Sequence, residues 1–356
     1  MIGQQRQKLL IRADGDSQIG LGHIYGSIRM ARFLSKALDL DIVFRTRFNP
    51  VSIELLHRSG FDFSIQPDLE PADEIRKIIQ LHPQYQGILY NFCKRDLDRY
   101  SESFDQFRES GMKLIFQDNP LPPSCHHADL LINALPHPEY PGYDPAAISA
   151  CLDGLEYFLV DESLQKERTF TPEIQGEVSR ILVAMGGSDA DDLTSDVIKG
   201  LGMAGFQGSV DIVLGAANAK IAEVKNTLRD TGLKGEISRD VADLGRRMAD
   251  ADLGFSALGL TTYEMAYMGL PVVLLTRDPF NNMVAEGYSE RYGAALTISG
   301  FAGEPERIAS SFSKLNIDIP LRQEMSRKGV VSVATHISAI IESTSRILSH
   351  EGQVLN

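Results

Sequence analysis

Two rhythms of apolar and polar positions alternate along this chain of 356 residues. In the first half, short apolar runs at 8–12, 41–45, 62–65, 87–90, 113–116 and 129–133 have the length of strands. The polar stretches between them, near 23–38, 50–58, 70–81 and 96–110, read as amphipathic helices. In the first of these, Ile24, Ile28, Ala31, Phe33 and Leu34 recur at roughly helical spacing. Strands that alternate with helices predict an α/β fold, with a parallel sheet covered on both faces. Two segments break the rhythm. ALPHPEYPGYDP (134–145) holds four prolines and reads as a loop, and the polar run 161–178 carries no apolar period and reads as a linker.

A second series then begins. RILVAMGGSDADDLTSDVIKGL (180–201) predicts strand, Gly-Gly turn and helix, and SVDIVLG (209–215) a strand followed by a helix near 218–231. A helix over 241–252, a strand over 252–257, a helix over 260–269 and a fully apolar strand over 270–276 continue it. The last helix is expected over about 331–348, with Val331, Val333, Ile337, Ile340, Ile341 and Ile347 on one stripe. The organisation is that of two Rossmann-like domains, 1–165 and 175–335, with a C-terminal helix and tail at 336–356. Ligands of open α/β sheets sit at the carboxyl ends of the strands, so two such sheets are expected to face a central cleft.

Composition narrows the partners. Hydrophobic residues make up 43% of the chain and charged residues 23%, as in a globular protein in water. A net charge of −13 argues against nucleic acid, whose binding rests on basic surface. Cys93, Cys125 and Cys151 are odd in number and unpaired in spacing, which suggests reduced thiols and a cytoplasmic protein. The start runs straight into a strand, and no run is long and apolar enough for an integral membrane segment. Oligomeric state is not readable from the chain.

Three Gly-rich turns carry the candidate chemistry. The turn after the first strand, with Gly20 and Gly22, delivers His23 at the head of a helix. Backbone amides there favour an anion, and an imidazole there titrates near neutrality. The bland alternative is a plain strand-to-helix turn with an exposed histidine. The second turn, Gly186-Gly187-Ser188-Asp189, permits close backbone approach, or is simply an N-capped turn. In the third, Ser256, Gly259, Leu260, Thr261 and Thr262 place amides and hydroxyls at a helix start, suited to a diphosphate. Glu264 follows, placed to accept from both hydroxyls of a ribose, or else to complement the helix N-terminus. The His126–His127 pair, with Cys125 and His137 nearby, lacks the spacing of a compact zinc site, so no metal is expected. Lys94, Arg95 and Arg99 form either a solvated helix face or a basic run that meets substrate phosphate.

Together these segments resemble the UDP-sugar hydrolases of pseudaminic acid biosynthesis and the SpsG-like proteins of spore-coat polysaccharide biosynthesis. IRADGDSQIGLGHI is similar to that family's opening, and ILVAMGGSDADDLT to its second-domain opening. FQDNPLPPSCHHADLLIN and DLGFSALGLTTYEMAYMGLPVVLLTRDPFNN match two further segments, the last also similar to MurG-type glycosyltransferases. The resemblance runs in order over about residues 9–300. It implies a GT-B arrangement with a nucleotide-sugar, most readily a UDP-sugar, as substrate and no cofactor. His23 would be the catalytic base, with Asp14 beside it. The nucleotide would lie against Gly186, Gly187, Ser188, the 256–264 turn and the pair Asn281-Asn282. A nucleoside diphosphate is already a good leaving group, so one base and phosphate stabilisation would suffice. The chain departs from the family pattern at Tyr25-Gly26, in place of Met-Arg, and at Asn91 and Cys93, in place of an Asp-x-Tyr strand end. It departs again at Asn119, where the family has a second aspartate. A GT-B glycosyltransferase and a non-catalytic nucleotide-sugar-binding partner are the alternatives.

Overall fold

The first sheet begins with Gln7–Ala13 (β1), and the alternation of its side chains decides what lies on either face. Leu9, Ile11 and Ala13 point into one apolar layer, and Leu10 into another. Strands Leu40–Arg47 (β2), Asp62–Gln66 (β3), Gly87–Asn91 (β4), Lys113–Gln117 (β5), Leu130–Asn133 (β6) and Cys151–Asp153 (β7) complete this sheet. Its order is β3-β2-β1-β4-β5-β6-β7, and every pairing is parallel. Helices Gly22–Ala37 (α1), Pro50–Ser59 (α2), Pro71–Ile79 (α3) and Lys94–Tyr100 (α4) connect the strands. In the computed structural model, residues 6–16, 19–118, 127–134, 146, 148–168 and 174–349 are described.

The chain divides into two compact units, Met1–Leu159 with His336–Asn356, and Val160–Thr335. The second unit opens with Glu162–Glu167 (α5). Its sheet is Arg180–Ala184 (β8), Ser209–Leu214 (β9), Lys234–Arg239 (β10), Leu253–Ala257 (β11), Val272–Leu275 (β12) and Ala295–Ile298 (β13). The order is β10-β9-β8-β11-β12-β13, again all parallel. Its helices are Leu193–Met203 (α6), Ile221–Thr231 (α7), Leu244–Ala249 (α8), Leu260–Tyr267 (α9), Pro279–Tyr292 (α10), Pro305–Ile317 (α11) and Ile319–Ser332 (α12). Ser338–Ser349 (α13) returns to the first unit, where Ile340 and Leu348 enter the layer of Leu9 and Ile11.

Both sheets follow the doubly wound strand order, and in each the order reverses beside the first strand. The switch point of the first sheet lies between β1 and β4, where Ala13 pairs with Asn91. That of the second lies between β8 and β11, where Ala184 pairs with Ser256. Ligand sites of such sheets open at these points.

Three expectations need correction. The polar run read as a linker holds a helix, α5, because Asp161 caps it through Ser163 N at 2.9 Å and Leu164 is buried against Gly245 of α8. The single helix expected over 331–348 is two: Val333 is extended, Ala334 has φ of 59°, and Val331 is exposed at the end of α12. The helix expected over 96–110 continues beyond α4 as a 3-10 segment, Ser101–Phe107. The proline-rich loop lies, from residue 135 to 145, outside the described residues.

Candidate active site

His23 stands on the first turn of α1, at the switch point of the first sheet. The chain reaches it from β1 through a tight loop. Asp16 pairs with Gly20 across a short bridge (N to O, 3.2 Å), and the Asp16 carboxylate accepts from Ile19 N at 2.8 Å. Gly20 has φ of 77°, a left-handed conformation that glycine adopts without penalty. The head of α1 has no side-chain cap and no acidic residue in its first turn, so its amides carry the helix's positive end unopposed. His23 is half-buried, and its Nδ1 lies 2.7 Å from Asn91 Oδ1 at the end of β4. Burial lowers its pKa below the ordinary histidine value, against the hydrogen bond to Asn91 and the carboxylates of Asp96 and Asp14. Burial thus favours the neutral imidazole.

Asp14, expected beside His23, is buried in a charge network. Its Oδ1 lies 2.6 Å from Arg12 Nη1 and accepts from Arg47 N at 2.7 Å. Arg12 is fully buried, with Nε 2.6 Å from Glu74 and its guanidinium 5.0 Å from the centre of the Phe92 ring. Arg47 reaches Asp96 at 3.4 Å, and Tyr100 hydrogen-bonds Glu74. Burial alone would raise the pKa of Asp14, but Arg12 and Arg47 overcome it and hold the carboxyl below its ordinary value. Asp14 is thus an ionised carboxylate whose hydrogen bonds fall on Oδ1, while Oδ2 lies 3.5 Å from Arg47 Nε, and it helps hold β1 to β2.

Sequence reading noted Asn91 as a departure from the family pattern but did not place it with Gln117 and Asp118 at the same switch point. A Cβ on Gly26 would lie 3.4 Å from Gln117 Nε2, 3.6 Å from Asn91 Nδ2 and 3.7 Å from Asp118 Oδ2. Asn91, Gln117 and Asp118 thus converge under Gly26 of α1, at the ends of β4 and β5. Asp118 has φ of 59°, and its carboxylate accepts from Gln117 Nε2 at 2.9 Å. Burial raises its pKa to about 6, despite that bond, one from the Ala134 amide and the charge of Arg29. The signal for this group is topological. Residues at the ends of β4 and β5 meet α1 only once the strand order is known.

In the second unit, the turn after β8 is locked from below. Gly186 has φ of 81°, and a Cβ on Gly215 would come within 2.4 Å of the Gly186 and Gly187 carbonyl oxygens. Ala217 N donates to Gly187 O at 3.0 Å. Asp189 caps the head of α6, accepting from Leu193 N at 2.8 Å and Thr194 N at 3.2 Å, while Ser188 is half-buried on the turn.

Across the switch point, Ser256 Oγ lies 3.0 Å from both the Ala184 and Ala257 carbonyl oxygens, and Thr262 donates to Ala257 O at 2.8 Å. These two hydroxyls brace the turn. Gly259, Leu260 and Thr261 remain partly exposed at the head of α9, which also lacks a side-chain cap. Glu264 lies beyond the first turn and is only 6% exposed, so it is no simple surface charge at a helix start. Asn282 accepts from Thr276 Oγ1 at 2.7 Å and Gly300 N at 2.9 Å, which ties the end of β12 to the loop after β13. Asn281 instead bonds to Asp278, the cap of α10.

The remaining candidates lie elsewhere. Arg95 and Arg99 are exposed, with Arg99 3.7 Å from Glu70. His127 Nε2 lies 3.0 Å from Phe104 O, while Asn119, Cys125, His126 and His137 lie outside the described residues. Among the described residues no group of three or more His, Cys, Asp or Glu is arranged to hold a metal ion, and no helix is long and apolar enough to cross a membrane.

Two doubly wound units, each with glycine turns at its switch point, define a GT-B-type α/β protein. Solved structures agree. MurG of Acinetobacter baumannii superposes with a TM-score of 0.69 at 14% identity, covering 96% of this chain and all of that one. HepE of Anabaena, solved with UDP-glucose, superposes with a TM-score of 0.60 at 14% identity over 95% of this chain and 99% of its own. No protein-family profile matches the chain. In sequence it is a divergent relative of the SpsG-like and UDP-sugar-hydrolase-like proteins. The spore coat polysaccharide biosynthesis protein SpsG of Bacillus subtilis is 22% identical over 90% of this chain and 92% of its own length. The UDP-2,4-diacetamido-2,4,6-trideoxy-β-L-altropyranose hydrolase of Campylobacter jejuni is 26% identical over 54% of this chain. An uncharacterized protein of Methanocaldococcus jannaschii is 26% identical over 80% of this chain. The chain spans 65% of the length of the Campylobacter hydrolase and 58% of that of the Methanocaldococcus protein.

Proposed function

We propose that the protein is a nucleotide-sugar hydrolase that releases a free sugar and UDP, in surface polysaccharide or nonulosonic acid biosynthesis. The observation that carries this reading is His23: half-buried, at the sheet's switch point and anchored through one ring nitrogen, with burial favouring its neutral form. In the proposed reaction His23 takes a proton from water as the water oxygen bonds to the anomeric carbon. The bond from that carbon to the diphosphate oxygen breaks, and UDP leaves from the opposite face with inversion. General base catalysis of this kind contributes about 10²–10⁴-fold. The uncapped head of α9 and the Gly186-Gly187 turn would take the diphosphate charge, and Glu264 the ribose hydroxyls. The likeness to a UDP-altropyranose hydrolase and to SpsG supports the substrate class. The likeness to MurG favours one alternative, a transferase in which an acceptor hydroxyl takes the place of water.

The nucleotide half of the proposal has its own test. Glu264→Gln should weaken UDP binding by about 1.5–3 kcal/mol, the usual worth of hydrogen bonds to a charged group. Calorimetry that finds unchanged UDP affinity would remove Glu264 from the site.

A further inference from the structure

We propose that Asn91 fixes His23 in the Nδ1–H tautomer, so that the bare Nε2 is the atom that accepts the proton; this rests on reading His23 as the base. The argument turns on which way round the Asn91 amide lies. One end faces His23 Nδ1 at 2.7 Å, and the other faces the His23 carbonyl oxygen at 3.4 Å. A carbonyl oxygen only accepts, so the NH₂ group must face it. The amide oxygen then faces Nδ1, and an oxygen without a hydrogen can only accept in turn. Nδ1 must therefore carry the proton, which leaves the lone pair on Nε2.

The amide has little freedom to do otherwise. Asn91 is 1% exposed, so no bulk water competes for it, and its strand end is held to β1 by the pairing of Ala13 with Asn91. Nδ2 packs under Gly26 of α1, 3.6 Å from where a Cβ would stand. An imidazole free in water prefers the opposite tautomer, with Nε2 protonated, and such a ring would offer substrate water a donor in place of a base.

Asn91 also sets the strength of that base, because it is neutral. Among the described residues, the carboxylates that act on the ring are Asp96 on α4 and Asp14 on the loop after β1, both near Arg47 from the end of β2, and Asp118 lies across Gly26. None of them hydrogen-bonds the ring in the way Asn91 does. A carboxylate in its place would hold the imidazolium and keep the base protonated at higher pH.

Ring-¹⁵N histidine labelling of the full chain reads both properties without any turnover. The His23 signals are assigned by their loss in His23→Gln. Above the usual histidine range, wild-type His23 should show a protonated Nδ1 and a bare Nε2. Asn91→Ala should return it toward the Nε2–H form. Asn91→Asp, the variant closest in shape, should raise its titration midpoint by about one to three pH units. A wild-type ring protonated on Nε2, or a tautomer indifferent to Asn91→Ala, would overturn the assignment. So would an unchanged midpoint in Asn91→Asp. The hydrolase reading fails on different grounds, namely the absence of sugar release by the wild-type protein. If that protein shows the expected tautomer, the role of Asn91 stands while the reaction assigned to His23 falls.

Discussion

Asp118 illustrates how a single buried side chain ties stability to pH. Its pKa is about 6 in the folded protein and near its ordinary value when unfolded, so the native state binds the proton more tightly. Its contribution is most favourable below the unfolded pKa and is lost as pH rises toward 6, after which the ionised, buried carboxylate is a constant cost. Asp118→Asn should therefore stabilise the protein above neutrality, by at most about 3 kcal/mol at 1.36 kcal/mol per pH unit of displacement, read as a higher melting temperature. The gain should fade in melts taken at progressively lower pH. Asparagine also tolerates the left-handed backbone at this position. A gain that is the same at every pH would mean that the effect is packing rather than charge. Arg12 is the opposite case. It lies between Asp14 and Glu74, all three buried, and its loss takes the cation from Glu74 and leaves Asp14 with Arg47 alone. Arg12→Met should cost about 3–5 kcal/mol, read as a loss of stability in the first unit by hydrogen exchange.

Glycine turns at the strand ends decide which elements can approach one another. Gly215 has no left-handed requirement, yet a Cβ there would strike two backbone oxygens of the Gly186-Gly187 turn at 2.4 Å. Backbone does not give way as a side chain does. Gly215→Ala should cost about 1–3 kcal/mol in thermal stability, and should weaken UDP binding with it if the turn holds the diphosphate. Retained UDP affinity in a destabilised variant would separate the turn from the nucleotide site.

The same scale explains what could be read from the chain. Buried strands such as Val272–Leu275 are apolar throughout and are legible as runs. Lys234–Arg239 is an edge strand of mostly exposed residues, half of them charged, so nothing in its pattern distinguishes it from loop. His23 and the glycine turns were legible because each motif is local. Asn91, Gln117 and Asp118 were not legible as a group. They lie far from α1 in sequence and meet it, around Gly26, only through the doubly wound strand order.

For the molecule as a whole, the fold is shared with proteins of different reactions, so function rests on the sites rather than on the architecture. The central claim is that His23 activates water against a nucleotide-sugar. The most direct test is to incubate the protein with UDP-sugars, the diacetamido-trideoxy-altropyranose among them, without any acceptor, and to follow the first-formed anomer by NMR. The account predicts release of UDP and free sugar with inverted configuration. It also predicts a loss of turnover of about 10²–10⁴-fold in His23→Asn, with UDP affinity unchanged by calorimetry. Turnover only when an acceptor is added, a first product of retained configuration, or near-wild-type turnover in His23→Asn would contradict it.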